Sequence, residues 1–107
     1  MPSRKKYTLK TSSNDAFFIS RFLAKNQYAA KALKPNGNTN NISTWNNHEK
    51  QLRVLSRLNR EILFELTIET IDGPKRGTFW KKYFLDGKCQ KAKGKMVFDE
   101  FDPNKLA

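Results

Sequence analysis

The feature that most constrains this 107-residue chain is a change of hydrophobic period at Ile62. Before it, Leu52, Leu55 and Leu58 follow helical spacing; from it onward, Ile62, Phe64, Leu66 and Ile68 alternate with Glu65, Thr67 and Glu69. A period near 3.6 predicts an amphipathic helix and a period of two predicts a half-buried antiparallel strand, so helix gives way to sheet at this point.

The sheet continues downstream. IDGPKRG is a turn, TFWKKYFL a second strand, and Asp86-Gly87 a two-residue hairpin signal returning KCQKAKGKMVF as a third strand with a bulge at Gly94. If that turn sets the register, Phe84 lies opposite Cys89, Lys82 opposite Lys91 and Trp80 opposite Lys93, all on one face. Tyr83, Phe79 and Leu85 then point to the other face, towards core. Like charges directly opposite one another are unfavourable unless an anion lies between them, and Trp80 and Phe84 offer flat surfaces for base stacking.

Upstream, residues 1–13 read as a basic arm in which Tyr7, Thr8 and Leu9 pair as a short edge strand. Ser13 or Asn14 is placed to cap a helix running to about Leu33, with Phe18, Ile19, Phe22, Leu23, Ala29, Ala30 and Leu33 on one face. Phe17, Arg21, Ala24, Tyr28 and Lys31 fall on the opposite side as an aromatic and cationic strip. Pro35 ends this helix, and six Asn between Asn36 and Asn47 mark a mobile, turn-rich loop. Ser43 or Thr44 is the expected cap of a second helix beginning near Trp45. The fold class is therefore α+β: two N-terminal helices packed on a three- or four-stranded antiparallel meander sheet. One domain spans 14–103, and residues 104–107 fray.

Charge narrows the partners. The chain carries 21 Lys and Arg against 10 Asp and Glu, a formal net charge of +11. Residues 1–35 hold eight cations and one acid, whereas residues 61–107 hold nine and eight. On the second helix Lys50, Arg53, Arg57 and Arg60 form one stripe, at about 100° per residue, with the leucines roughly opposite. Such a stripe in a strongly positive field attracts polyanions. The expected partner is DNA or RNA, contacted at phosphates through Arg4, Lys5, Lys6 and Lys10 of the arm and through the stripe. Trp80, Lys82, Lys91 and Lys93 of the hairpin complete the candidate interface. An acidic protein surface is the alternative partner from a different class.

Enzymatic readings find less support. A single Cys89 excludes an intrachain disulfide, and one His48 leaves too few ligands for a conventional zinc centre, so no metal or cofactor is expected. His48 projects near the apolar side of the second helix, a structural position, and Cys89 reads as a small buried hydrophobe. Gly37 stands alone and forms no phosphate-binding loop. Asp72, Asp86 and Lys88 form an acid, acid, lysine grouping of the kind metal-dependent nucleases use, but both aspartates serve turns, and Asp99, Glu100 and Asp102 read as a solvated strand end. No apolar run approaches the roughly 18 residues that cross a bilayer, and a soluble, cytoplasmic protein, of phage or mobile-element type given its size, is expected.

The order of two helices before an antiparallel sheet resembles the small ribosome-dependent ribonuclease toxins of the RelE type, over residues 7–98. The resemblance lies in architecture and charge, and no family motif matches, so it carries over no catalytic residue. It implies messenger RNA cleavage on a basic, aromatic sheet, for which Lys81, Lys82, Tyr83 and Lys91 are the natural candidates.

Overall fold

The computed structural model describes residues 4–12, 17–74, 76–94, 101 and 103–106. Seven main elements follow one another: β1 Lys5–Thr11, α1 Phe17–Lys25, α2 Gln27–Ala32, α3 His48–Leu58, β2 Phe64–Thr70, β3 Phe79–Leu85 and β4 Lys88–Gly94. The strands form one antiparallel sheet in the order β1-β2-β3-β4. Among the described residues the fold is thus α+β, with four strands and three α-helices.

The hairpin register follows from its turn. Asp86 and Gly87 both have positive φ, 48° and 79°, the twist that suits a two-residue β-hairpin. Phe84 therefore pairs with Cys89, Lys82 with Lys91 and Trp80 with Lys93. The ladder stays one-to-one as far as Phe79 opposite Gly94, so the bulge expected at Gly94 is absent from this pairing. Residues 95–100, with the rest of the expected strand and Asp99 and Glu100, lie outside the described residues, as do Asp102 and the Ser13/Asn14 cap.

Three expectations about the N-terminal half need correction. The long helix is two short ones, because Asn26 leaves helical geometry (φ −133°, ψ 91°) and its side-chain amide donates to the Phe22 carbonyl at 2.8 Å. A short polar side chain that bonds its own backbone in this way competes with helix propagation. The second helix starts at His48 rather than near Trp45, with Asn47 as N-cap, since Trp45 is drawn into the core. The described part of the basic arm is mostly strand: β1 spans seven residues, Tyr7 to Leu9 included, and pairs along β2 from Lys5 opposite Thr70 to Thr11 opposite Phe64.

The Asn-rich loop is tied down along the outer edge of β1. The Leu9 amide donates to the Gly37 carbonyl at 2.8 Å, Lys5 and Ser43 exchange two backbone bonds, and the Thr39 hydroxyl donates to the Tyr7 carbonyl at 2.7 Å. Amides of Asn40 and Asn41 satisfy the carbonyls of Ala32 and Lys31 at the end of α2. A sheet edge that would otherwise offer unpaired groups is thereby covered.

Alternation divides the sheet. Tyr7, Leu9, Phe64, Leu66, Ile68, Phe84 and Cys89 join Ile19, Phe22, Leu23, Ala29, Leu33, Trp45, Leu52 and Leu55 in one buried cluster. Leu58, expected on that packed face, is 77% exposed at the end of α3. On the reverse face Tyr83 is buried, with Phe101 at 5.4 Å between ring centroids. Among the described residues, no helix is long and apolar enough to cross a membrane.

Candidate nucleic-acid interface

Helix α3 organises the charged groups. It lies against β3 and β4, so the sheet face bearing Lys82 and Lys91 meets its first turn. The Glu49 carboxylate reaches Lys91 at 3.1 Å, Lys82 at 3.4 Å and Arg53, one turn further along α3, at 3.4 Å. This is the anion that two lysines placed opposite one another call for, and it comes from the protein itself. Burial pushes the Glu49 carboxyl up, but hydrogen bonds and charge from Lys91 and Lys82 outweigh it and hold the group below its ordinary range.

His48 sits beside this ion cluster in a chain of hydrogen bonds. Lys82 Nζ lies 2.7 Å from His48 Nε2, and His48 Nδ1 lies 2.7 Å from the Trp45 carbonyl oxygen. An ammonium can only donate and a carbonyl can only accept, so the imidazole is neutral with its proton on Nδ1. Burial, reinforced by the neighbouring Lys82 and Lys5 charges, pulls its pKa down from 6.5 to about 4. Burial likewise lowers the Lys82 pKa, with Lys91 adding to the effect and Glu49 opposing it.

A base whose pKa falls on folding binds fewer protons folded than unfolded, so stability drops as pH falls from about 6.5 to about 4. The expected loss is about 3 kcal/mol. Glu49 adds to it at lower pH, because the stability conferred by a carboxyl with a lowered pKa disappears as that group protonates. His48→Gln keeps a donor and an acceptor while removing the titration. Urea unfolding across this range should show the slope in the parent and a flat response in the variant.

The stripe makes a second set of contacts, to the hairpin turn. Arg60 pairs with Asp86 at 3.0 Å, and Arg53 donates to the Gly87 carbonyl at 3.3 Å. The Arg57 side chain lies close over Gly87, which a Cβ there would meet at 3.0 Å. Ser56, fully buried, accepts from the Gly87 amide at 2.9 Å and donates to the Arg53 carbonyl at 3.0 Å. Arg53 and Arg60 thus bond to the turn, while Lys50, Arg57 and Arg60 are all exposed. Lys50, Arg53 and Arg57 line a shallow depression of about 530 Å³ together with Glu49, Val54, Asn46, Asn47 and Gly87.

A larger groove of about 610 Å³ runs between α1 and α3. Arg21, Lys25 and Lys50 rim it, and its eleven described lining residues include no acid. The i, i+4 spacing of Arg21 and Lys25 was a sequence signal for this edge.

The other expected contacts lie elsewhere. Arg4 is paired with Asp72 at 2.9 Å. Lys6 and Lys10 are exposed on the reverse sheet face, opposite Glu69 and Glu65. Lys5, half-buried, shares the helix-covered side with Tyr7 and Leu9. Lys82 has only 12% of its side chain exposed, Phe84 is fully buried, and Trp80 packs against the core, which leaves little ring surface for stacking. Lys93 takes its place in β4 opposite Trp80. The four residues singled out for ribonuclease chemistry divide between the two faces: Lys81, paired with Glu65 at 2.6 Å, and Tyr83 on one, Lys82 and Lys91 on the other. Asp72 and Asp86 are each held by an arginine, and no three metal-ligating side chains gather among the described residues. Comparison with protein-family models, with curated proteins and with solved structures finds no match to this chain.

Proposed function

We propose that the chain is a small binding module that grips the phosphate backbone of nucleic acid with the outer side of α3 and the adjoining edge of α1. The observation that carries this reading is the composition of that surface. Lys50, Arg53 and Arg57 line one depression and Arg21, Lys25 and Lys50 the groove beside it. Glu49, which lines that depression, and Asp86 are both engaged by the protein's own cations. Buried aromatics on the hairpin favour backbone contact over base stacking, so recognition is electrostatic and tolerant of sequence.

The test is binding of labelled duplex and single-stranded oligonucleotides against salt. Arg53 and Arg60 hold the hairpin turn, so the informative variant is Lys50→Gln with Arg57→Gln, which keeps helix propensity and those contacts. Affinity should fall for every sequence, and the slope of log affinity against log salt should shrink by about two if each side chain meets one phosphate. A folded double variant that binds as tightly as the parent at low salt would remove the proposal. Lys6→Gln with Lys10→Gln, on the reverse face, should have the smaller effect; a larger one would move the interface to β1.

A further inference from the structure

We infer that the groove between α1 and α3 is a docking site for an acidic amphipathic helix of a partner protein. Its lining is apolar in part: Val54 and Leu58, 55% and 77% exposed, line it together with buried Phe22 and Leu55. These are two of the four large hydrophobic residues that stand exposed among the described ones. Val54 and Leu58 are one helical turn apart, and Lys50 continues the same row one turn earlier. An apolar row of this kind beside a second helix is the receiving surface of helix-in-groove recognition, in which side chains at i, i+3 or i+4 of the incoming helix enter the groove.

Charge selects the occupant. Arg21 and Lys25 on one bank and Lys50 on the other form a cationic rim without a lining acid, so the polar flanks of the incoming helix must carry Asp or Glu. A second copy of this chain, at +11, would bring cations against cations. Nucleic acid gains nothing from Val54 and Leu58, and the one ring in the lining, Phe22, is buried and cannot stack on a base. This inference does not depend on the nucleic-acid proposal, although the two readings share the cations Arg21, Lys25 and Lys50.

The probe is a labelled synthetic peptide with leucines at i, i+3, i+4 and i+7 and glutamates elsewhere, its binding followed by fluorescence anisotropy. Val54→Gln with Leu58→Gln alters exposed positions and leaves the fold intact, as its circular dichroism and unfolding midpoint should confirm. The parent should bind the patterned peptide, and the double variant at least about tenfold more weakly, because apolar anchors dominate such interfaces. A peptide of the same composition in scrambled order should bind the parent as weakly as the patterned one binds the variant. Oligonucleotide affinity of the same variant is read in parallel and should not change.

Equal binding of scrambled and patterned peptides, or no effect of the double variant, would overturn the inference, leaving charge attraction alone. An equal loss of oligonucleotide binding would overturn it in favour of nucleic acid in the groove. Concentration-dependent dimerisation of the parent, abolished in the variant, would assign the groove to a second copy and overturn it too.

Discussion

Replacing Gly37 by alanine is expected to cost about 2–5 kcal/mol, one of the largest effects of any single substitution in this chain. Gly37 has φ +88°, a left-handed conformation that an L side chain adopts at a cost of about 1–2 kcal/mol. Its carbonyl accepts the Leu9 amide, so the loop is held close against the edge strand β1. An added Cβ would run into the Leu9 carbonyl, which is backbone and cannot rotate aside. To relieve the clash, loop and strand must separate, which weakens the Leu9 bond and uncovers the strand edge. Thermal or denaturant unfolding measures the loss, and the uncovered edge should also raise the tendency to aggregate. A change under about 0.5 kcal/mol would mean that the loop does not lie against β1.

What was legible in the sequence was local. The alternation from Phe64 to Ile68 and the Asp86-Gly87 turn each act within a few residues: the first marks β2, and the second sets the register of β3 against β4, including the pairing of Lys82 with Lys91. The helix break was obscure because one amide of Asn26 decides it against a continuous apolar pattern. The late start of α3 was obscure for a different reason. Trp45 has helical spacing but gains more by packing between Tyr7 and Phe22, at ring-centroid distances of 5.6 and 6.2 Å, than by opening a helix.

The stripe illustrates the same limit. Its four cations were visible, but the hairpin-turn partners of Arg53 and Arg60 lie 34 and 26 residues away in sequence. Only the tertiary fold separates the cations that hold the protein together from those that face outward. Glu49 is the single acid in residues 36–60 and nothing local marks it, yet it is the anion that lets Lys82 and Lys91 share a face.

Trp45→Ala should destabilise the chain by about 3–5 kcal/mol. Trp45 is 1% exposed, and its ring meets Tyr7 of β1, Phe22 of α1 and His48 of α3. It packs strand and helices together, beside the direct contact of the Tyr7 and His48 rings at 5.9 Å. Its indole nitrogen donates to Gln51 at 2.8 Å, and its backbone amide donates to the Tyr7 hydroxyl at 3.0 Å. Alanine preserves the backbone bond, removes the indole bond and leaves a void that its aromatic neighbours fill only in part. A domain of this length has roughly 5–15 kcal/mol of stability in total, so such a loss brings the chain close to its folding threshold. Trp45→Phe separates the contributions: it retains most of the packing and loses the bond to Gln51, at a cost of about 1–2 kcal/mol. Urea midpoints should therefore rank parent, Phe, Ala, with the larger interval between Phe and Ala. If Phe and Ala were equally destabilising, the indole bond to Gln51 and not the ring packing would carry the contribution of Trp45.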